Sequence, residues 1–145
     1  MHRAPALTAR LDADVGGRVV SGFASDLLVP AWFRKESWRT AKQDAMGLAA
    51  SVQRAGEVVL AAKEGSAFEL WRRAWDTIVE AVPPGAPDRL ERGFGVALVE
   101  RCLIDAACRA SGEPFLAALR GGTLDLELAR LRPELASWDR KRGLP

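Results

Sequence analysis

The stretch Phe94–Gly122, FGVALVERCLIDAACRASGEPFLAALRGG, decides how the rest of the chain is read. From Val96 to Ala110 it is apolar on nearly every side, which predicts a helix buried all round rather than laid on a surface. Its charges, Glu100, Arg101, Asp105 and Arg109, read as a structural ion-pair cluster. Arg101–Asp105 and Asp105–Arg109 are (i, i+4) neighbours on one face. Gly112 is a helix stop, and Pro114 follows where a helix cannot continue. Phe115 to Leu119 then predicts a short helix that runs into Gly121-Gly122.

Upstream lie two more helices. Pro87 and Asp88 open the long helix, and Pro83-Pro84-Gly85 closes the one before it. That earlier helix starts at a capping box, Ser66-x-x-Glu69, after the break at Gly65. Phe68, Trp71, Trp75, Ile78 and Val82 form its apolar stripe, a core face rather than a ligand platform. Further back, Thr40-x-x-Gln43 is another capping box, with Ser37 as the other candidate cap. Ala41, Ala45, Leu48, Val52, Ala55 and Val59 recur at helical spacing behind it. The small residues of that stripe let a neighbouring helix approach closely, while Gly47 and Gly56 weaken the helix by roughly 1 kcal/mol each.

The N-terminal part has a different period. Leu7, Ala9, Leu11 and Ala13 alternate with Thr8, Arg10, Asp12 and Asp14, the pattern of a strand with one wet face. Gly16-Gly17 supplies a hairpin turn, and Arg18 to Phe23 returns as a second strand in which Gly22 marks a close backbone approach. Ala24 to Phe33, ASDLLVPAWF, follows neither period and is expected to be a loop. Either it buries Trp32 and Phe33 against the helices or it faces a substrate or partner. At the other end, Thr123 to Pro145 fits neither a clean strand nor a long helix and reads as a tail or linker.

Composition narrows the function classes. A chain of 145 residues with 48% hydrophobic and 28% charged residues is sized for one domain with a real core. A net charge of +2 sets up no field for nucleic acid or an anionic membrane, and Arg72-Arg73 and Arg140–Arg142 are too short to make such a face. No apolar run reaches the length that spans a bilayer, and the start lacks a signal core, so the expected location is cytoplasmic. Cys102 and Cys108 sit about 120° apart on one helix, which argues for two buried thiols instead of a disulfide. The only histidine is His2, so neither a metal site nor a Ser–His–Asp arrangement is expected; no catalytic and no metal-binding residue is assigned.

Glu100-x-x-Leu103-x-Asp105, Gly112-x-Pro114 and Leu119-x-Gly121-Gly122 together resemble the end of the N-terminal capping domain of the enolase superfamily. The branch is that of mandelate racemase and the muconate-lactonising enzymes. The resemblance implies an α+β fold, a β-hairpin belonging to a small antiparallel meander followed by a three-helix bundle. It implies a capping domain over 1–122 and a tail or linker over 123–145 that leads toward a barrel domain. In that family the meander has a strand before the hairpin, for which only Met1 to Ala6 remain here. The loop around residues 24–33 corresponds to the family's lid over the active site, with Phe23, Asp26, Leu28 and Trp32 as its substrate-facing residues. Enzymes of this family, racemases and lyases, abstract a proton α to a carboxylate and hold the enolate on Mg²⁺. Their acid–base lysines and metal carboxylates lie on a (β/α)₈ barrel of about 200 residues or more. This chain has no Lys-x-Lys pair. The resemblance therefore implies a catalytically silent cap or fragment whose Mg²⁺ is bound by the absent barrel, and whose partner is that barrel or a second copy. The alternative from a different class is a stand-alone helical interaction module. Its binding surface would be Leu27–Phe33 or an uncovered face of the Phe94–Ala110 helix.

Overall fold

The computed structural model describes residues 5–29, 33, 38 and 40–137. Two ten-residue antiparallel strands, β1 (Ala6–Val15) and β2 (Arg18–Leu27), form a hairpin in which Val15 pairs with Arg18 and Ala6 with Leu27. Gly16 and Gly17, at φ 62° and 82°, make the two-residue turn, whose twist suits a hairpin only with positive φ at both positions. Three helices follow: α1 (Ala41–Ala62), α2 (Ala67–Ile78) and α3 (Arg89–Ser111). A short α4 (Phe115–Gly121) and a single turn, α5 (Leu128–Leu131), complete the described chain before a 3₁₀ turn at Pro133–Leu135. The fold is α+β, a two-stranded hairpin followed by helices. No helix among the described residues is long and apolar enough to cross a membrane.

The alternation along β1 divides wet from dry side chains as expected: Leu7, Ala9 and Leu11 pack against the core while Thr8, Arg10 and Asp12 are exposed. The expected loop from Ala24 starts too early. Ala24 to Leu27 continue β2, Ala24 is buried, and the strand extends as far as its partner does. Leu28 is buried in the core just beyond it.

Both capping boxes are present. The Thr40 hydroxyl accepts from the Gln43 amide and the Ser66 hydroxyl from the Glu69 amide, with each glutamine or glutamate carbonyl-side oxygen returning to the cap N–H. Leu48, Val52, Ala55 and Val59 are the buried face of α1. Helix α2 ends at Ile78, a turn short of Val82, and carbonyls of the turn that follows it find a donor in Arg89. That guanidinium reaches Val79 O at 2.6 Å and Val82 O at 2.8 Å. The indole N–H of Trp75 donates to Glu80, which also pairs with Arg89, and together these bonds hold the Glu80 carboxyl below its ordinary range.

Helix α3 packs on both strands and on α1 and α2. A broad arc of it is buried, from Phe94 through Leu98, Cys102, Val99, Leu103 and Ala106 to Val96, so the apolar core has one axis. It is not buried all round, since Ala97, Arg101 and Arg109 remain exposed. Backbone meets backbone at two glycines: Gly22 of β2 lies against Cys102 and Ala106, and Gly95 of α3 lies against Ser51 of α1. Beyond Gly122 the chain returns along α2. Leu124 is buried, and the Arg130 guanidinium sits 5.8 Å from the Phe68 ring centroid.

Candidate functional site

The residues singled out as a lid and those singled out as an ion-pair cluster meet along one seam, where the outer edge of β2 runs beside α3. Arg101 turns away from Asp105 and pairs with Asp26 at 2.7 Å, also reaching Ser25 O. Asp105 pairs with Arg109 at 2.7 Å and accepts the Phe23 backbone N–H at 2.9 Å. The Phe23 ring lies between two cations, 5.6 Å from Arg109 and 5.9 Å from Arg10. Arg18 adds a bond to the Ala110 carbonyl near the end of α3. Hydrogen bonds from Arg101 and then from the Leu27 N–H lower the Asp26 carboxyl from its ordinary value. Every acid in the seam is thus answered by a donor, and the arrangement ties strand to helix. Leu28 lies apart from the seam in the core, and Trp32 lies outside the described residues. Phe33, from the same stretch, packs edge-on to Phe94 with centroids 5.3 Å apart.

Glu100 does not belong to that seam. It projects from the other side of α3 into a cavity of about 270 Å³ walled by Phe68, Trp71, Ile104, Phe115, Leu124 and Leu126. Burial raises its carboxyl above the ordinary value, against a smaller lowering by the charge of Arg101. No hydrogen bond or ion pair holds it among the described residues. A spacing argument could have separated it from the cluster: the positions three and four away on α3 are Val96, Ala97, Leu103 and Ile104, none of them basic. Chemically, one acid among aromatic and aliphatic walls can hold a cation or donate a hydrogen bond when protonated. Among the described residues that wall the cavity there is no second acid, base or nucleophile with which to make a catalytic pair.

No protein-family profile, curated protein or solved structure matches this chain. Nor does any group of three or more His, Cys, Asp or Glu side chains converge among the described residues, so these offer Mg²⁺ no ligand set of that size. Cys102 is buried and Cys108 only partly so, both as free thiols. Burial is the main cause that raises each above the ordinary thiol value.

Proposed function

We propose that this chain is a capping module of a Mg²⁺-dependent enolising enzyme of the mandelate-racemase type, silent in catalysis by itself. The observation that carries the reading is the order of elements: a hairpin, three helices, the stop at Gly112 and Pro114, and a short helix closed by a left-handed Gly122. This is the order that the resemblance of Phe94–Gly122 implies. The deciding experiment is to sequence the coding DNA beyond the codon for Pro145. An in-frame continuation of about 200 residues or more, with spaced lysines and successive carboxylates, supports the reading. A stop codon there sinks it. Alongside it, the purified chain with Mg²⁺ should exchange the α-proton of mandelate-like acids no faster than buffer does, and chelator-sensitive exchange would contradict the silent part.

A second reading, a stand-alone interaction module, is favoured by a broken row of apolar side chains on the outward face of β2, with Ser21 and Ser25 between them. Val19, Phe23 and Leu27 are 70%, 42% and 53% exposed there. Such a row on a wet strand face is the kind of surface a protein partner covers.

A further inference from the structure

The two edges of the hairpin are treated differently. On β2, α3 meets two of the outward-pointing backbone groups midway along the edge: Asp105 accepts the Phe23 N–H and Arg101 donates to Ser25 O. Because Phe23 N–H points out of the ladder, Arg10, its cross-strand partner, also turns its N–H and C=O outward. The same parity turns the backbone groups of Ala6, Thr8, Asp12 and Asp14 outward, and among the described residues none of these has a backbone partner. The guards on this edge are the exposed charges of Arg10, Asp12 and Asp14; β1 has no internal proline, no bulge and no inward-facing charge. Beneath it runs a trough of about 520 Å³ with Leu11, Val15, Leu60 and Leu70 in its walls. Val15 and Leu60 are 44% and 69% exposed.

We infer that the outer edge of β1 pairs antiparallel with the same edge of a second copy, about a twofold axis at Leu11, with Arg10 opposite Asp12 of the copy. The inference does not depend on the function proposed above. Parity and charge select the register. Outward-facing groups are all on even-numbered residues, so paired numbers must sum to an even value. Sums of 20 and 22 give the longest overlaps of a strand spanning Ala6–Val15. A sum of 20 sets Arg10 against Arg10. A sum of 22 sets Arg10 against Asp12 twice over, and Thr8 against Asp14. Both charged side chains are exposed and already adjacent on the wet face, 2.9 Å apart, so pairing joins two ion pairs into a four-membered checkerboard. On the dry face the same register brings Leu11 to Leu11 and Leu7 to the exposed Val15, and it roofs the trough. The interface is isologous and closes on itself, which limits assembly to a dimer.

The test is the association state of the full 145-residue chain by sedimentation equilibrium, with a charge swap. The wild type should dimerise. Arg10→Asp and Asp12→Arg, each placing like charges opposite one another, should weaken association on the order of tenfold or more. The double variant with both changes should restore it. Leu11→Cys in the otherwise unchanged chain should form an intermolecular disulfide under mild oxidation, and Thr8→Cys should not. A chain that stays monomeric at high concentration overturns the inference, as does a dimer indifferent to the single charge changes. If a charge variant misfolds by circular dichroism, the Leu11→Cys cross-link still decides, and its absence from a dimeric chain also overturns the inference.

Discussion

Three glycines that look alike in the sequence behave differently in space. A Cβ added at Gly22 would land on the Cys102 carbonyl oxygen and within 2.7 Å of the Ala106 amide nitrogen. One at Gly95 would land on the Ser51 carbonyl and within 2.8 Å of its hydroxyl. One at Gly56 would meet nothing within 4 Å. Gly22→Ala and Gly95→Ala should therefore each destabilise the fold by about 3 kcal/mol, since backbone must move to admit a methyl. Gly56→Ala should stabilise it by about 1 kcal/mol through helix propensity. Urea titration of the three variants checks the ordering. Gly22 is legible in the sequence as a close approach because it interrupts a strand, whereas Gly95 is not, since what crowds a helical glycine is a distant segment. Glu100 makes a prediction in pH. Its carboxyl is raised by burial, so the folded chain keeps that proton to a higher pH than the unfolded chain does. The resulting stability is complete below the unfolded value and is lost as pH rises through the folded one. Glu100→Gln should leave the melting temperature almost unchanged near pH 4 and raise it by a few degrees near pH 8. Equal melting of variant and wild type near pH 8 would contradict this.

At the scale of elements, helix ends carry the information. Ser66 accepts the Glu69 amide at 3.2 Å, and Ser66→Ala should cost about 1 kcal/mol. The far end of α2 depends on Arg89, whose guanidinium serves two carbonyls and Glu80 at once. Arg89→Met keeps the stem and removes the donors, and should cost about 2 kcal/mol in thermal or urea unfolding. The capping boxes were legible because they lie within four residues of sequence. The Arg89 clamp was not, because its acceptors are carbonyls with no sequence signature. The second half of β2 was hidden for another reason. Its outward positions hold Phe23 and Leu27 and its inward ones Gly22, Ala24 and Asp26, so composition contradicts the period of two. Only pairing with the regularly alternating β1 makes Ala24 to Leu27 a strand. The seam was half legible: Asp105–Arg109 is local, but Arg101 prefers Asp26, 75 positions away.

For the whole molecule, α3 is the shared wall. Hairpin, α1 and α2 each bury their dry face against it, and no one of them has a core of its own. The hairpin and the helices should consequently unfold together. Hydrogen exchange at the paired amides of Leu11 and Ala13 should report the same opening free energy as at Leu98 and Cys102, and a hairpin that opens well before α3 would contradict it.

That shared wall also imposes an order on synthesis. The bond from Arg18 to the Ala110 carbonyl closes over 92 positions, and the one from Phe23 to Asp105 over 82. On the ribosome the hairpin emerges well before α3. The hairpin alone is marginal in water, so it has to wait, edges bare, until residues near 111 have left the exit tunnel. The interval in which β1 could meet another nascent hairpin therefore comes before the molecule has a core, and the rate of translation helps set how long that interval lasts.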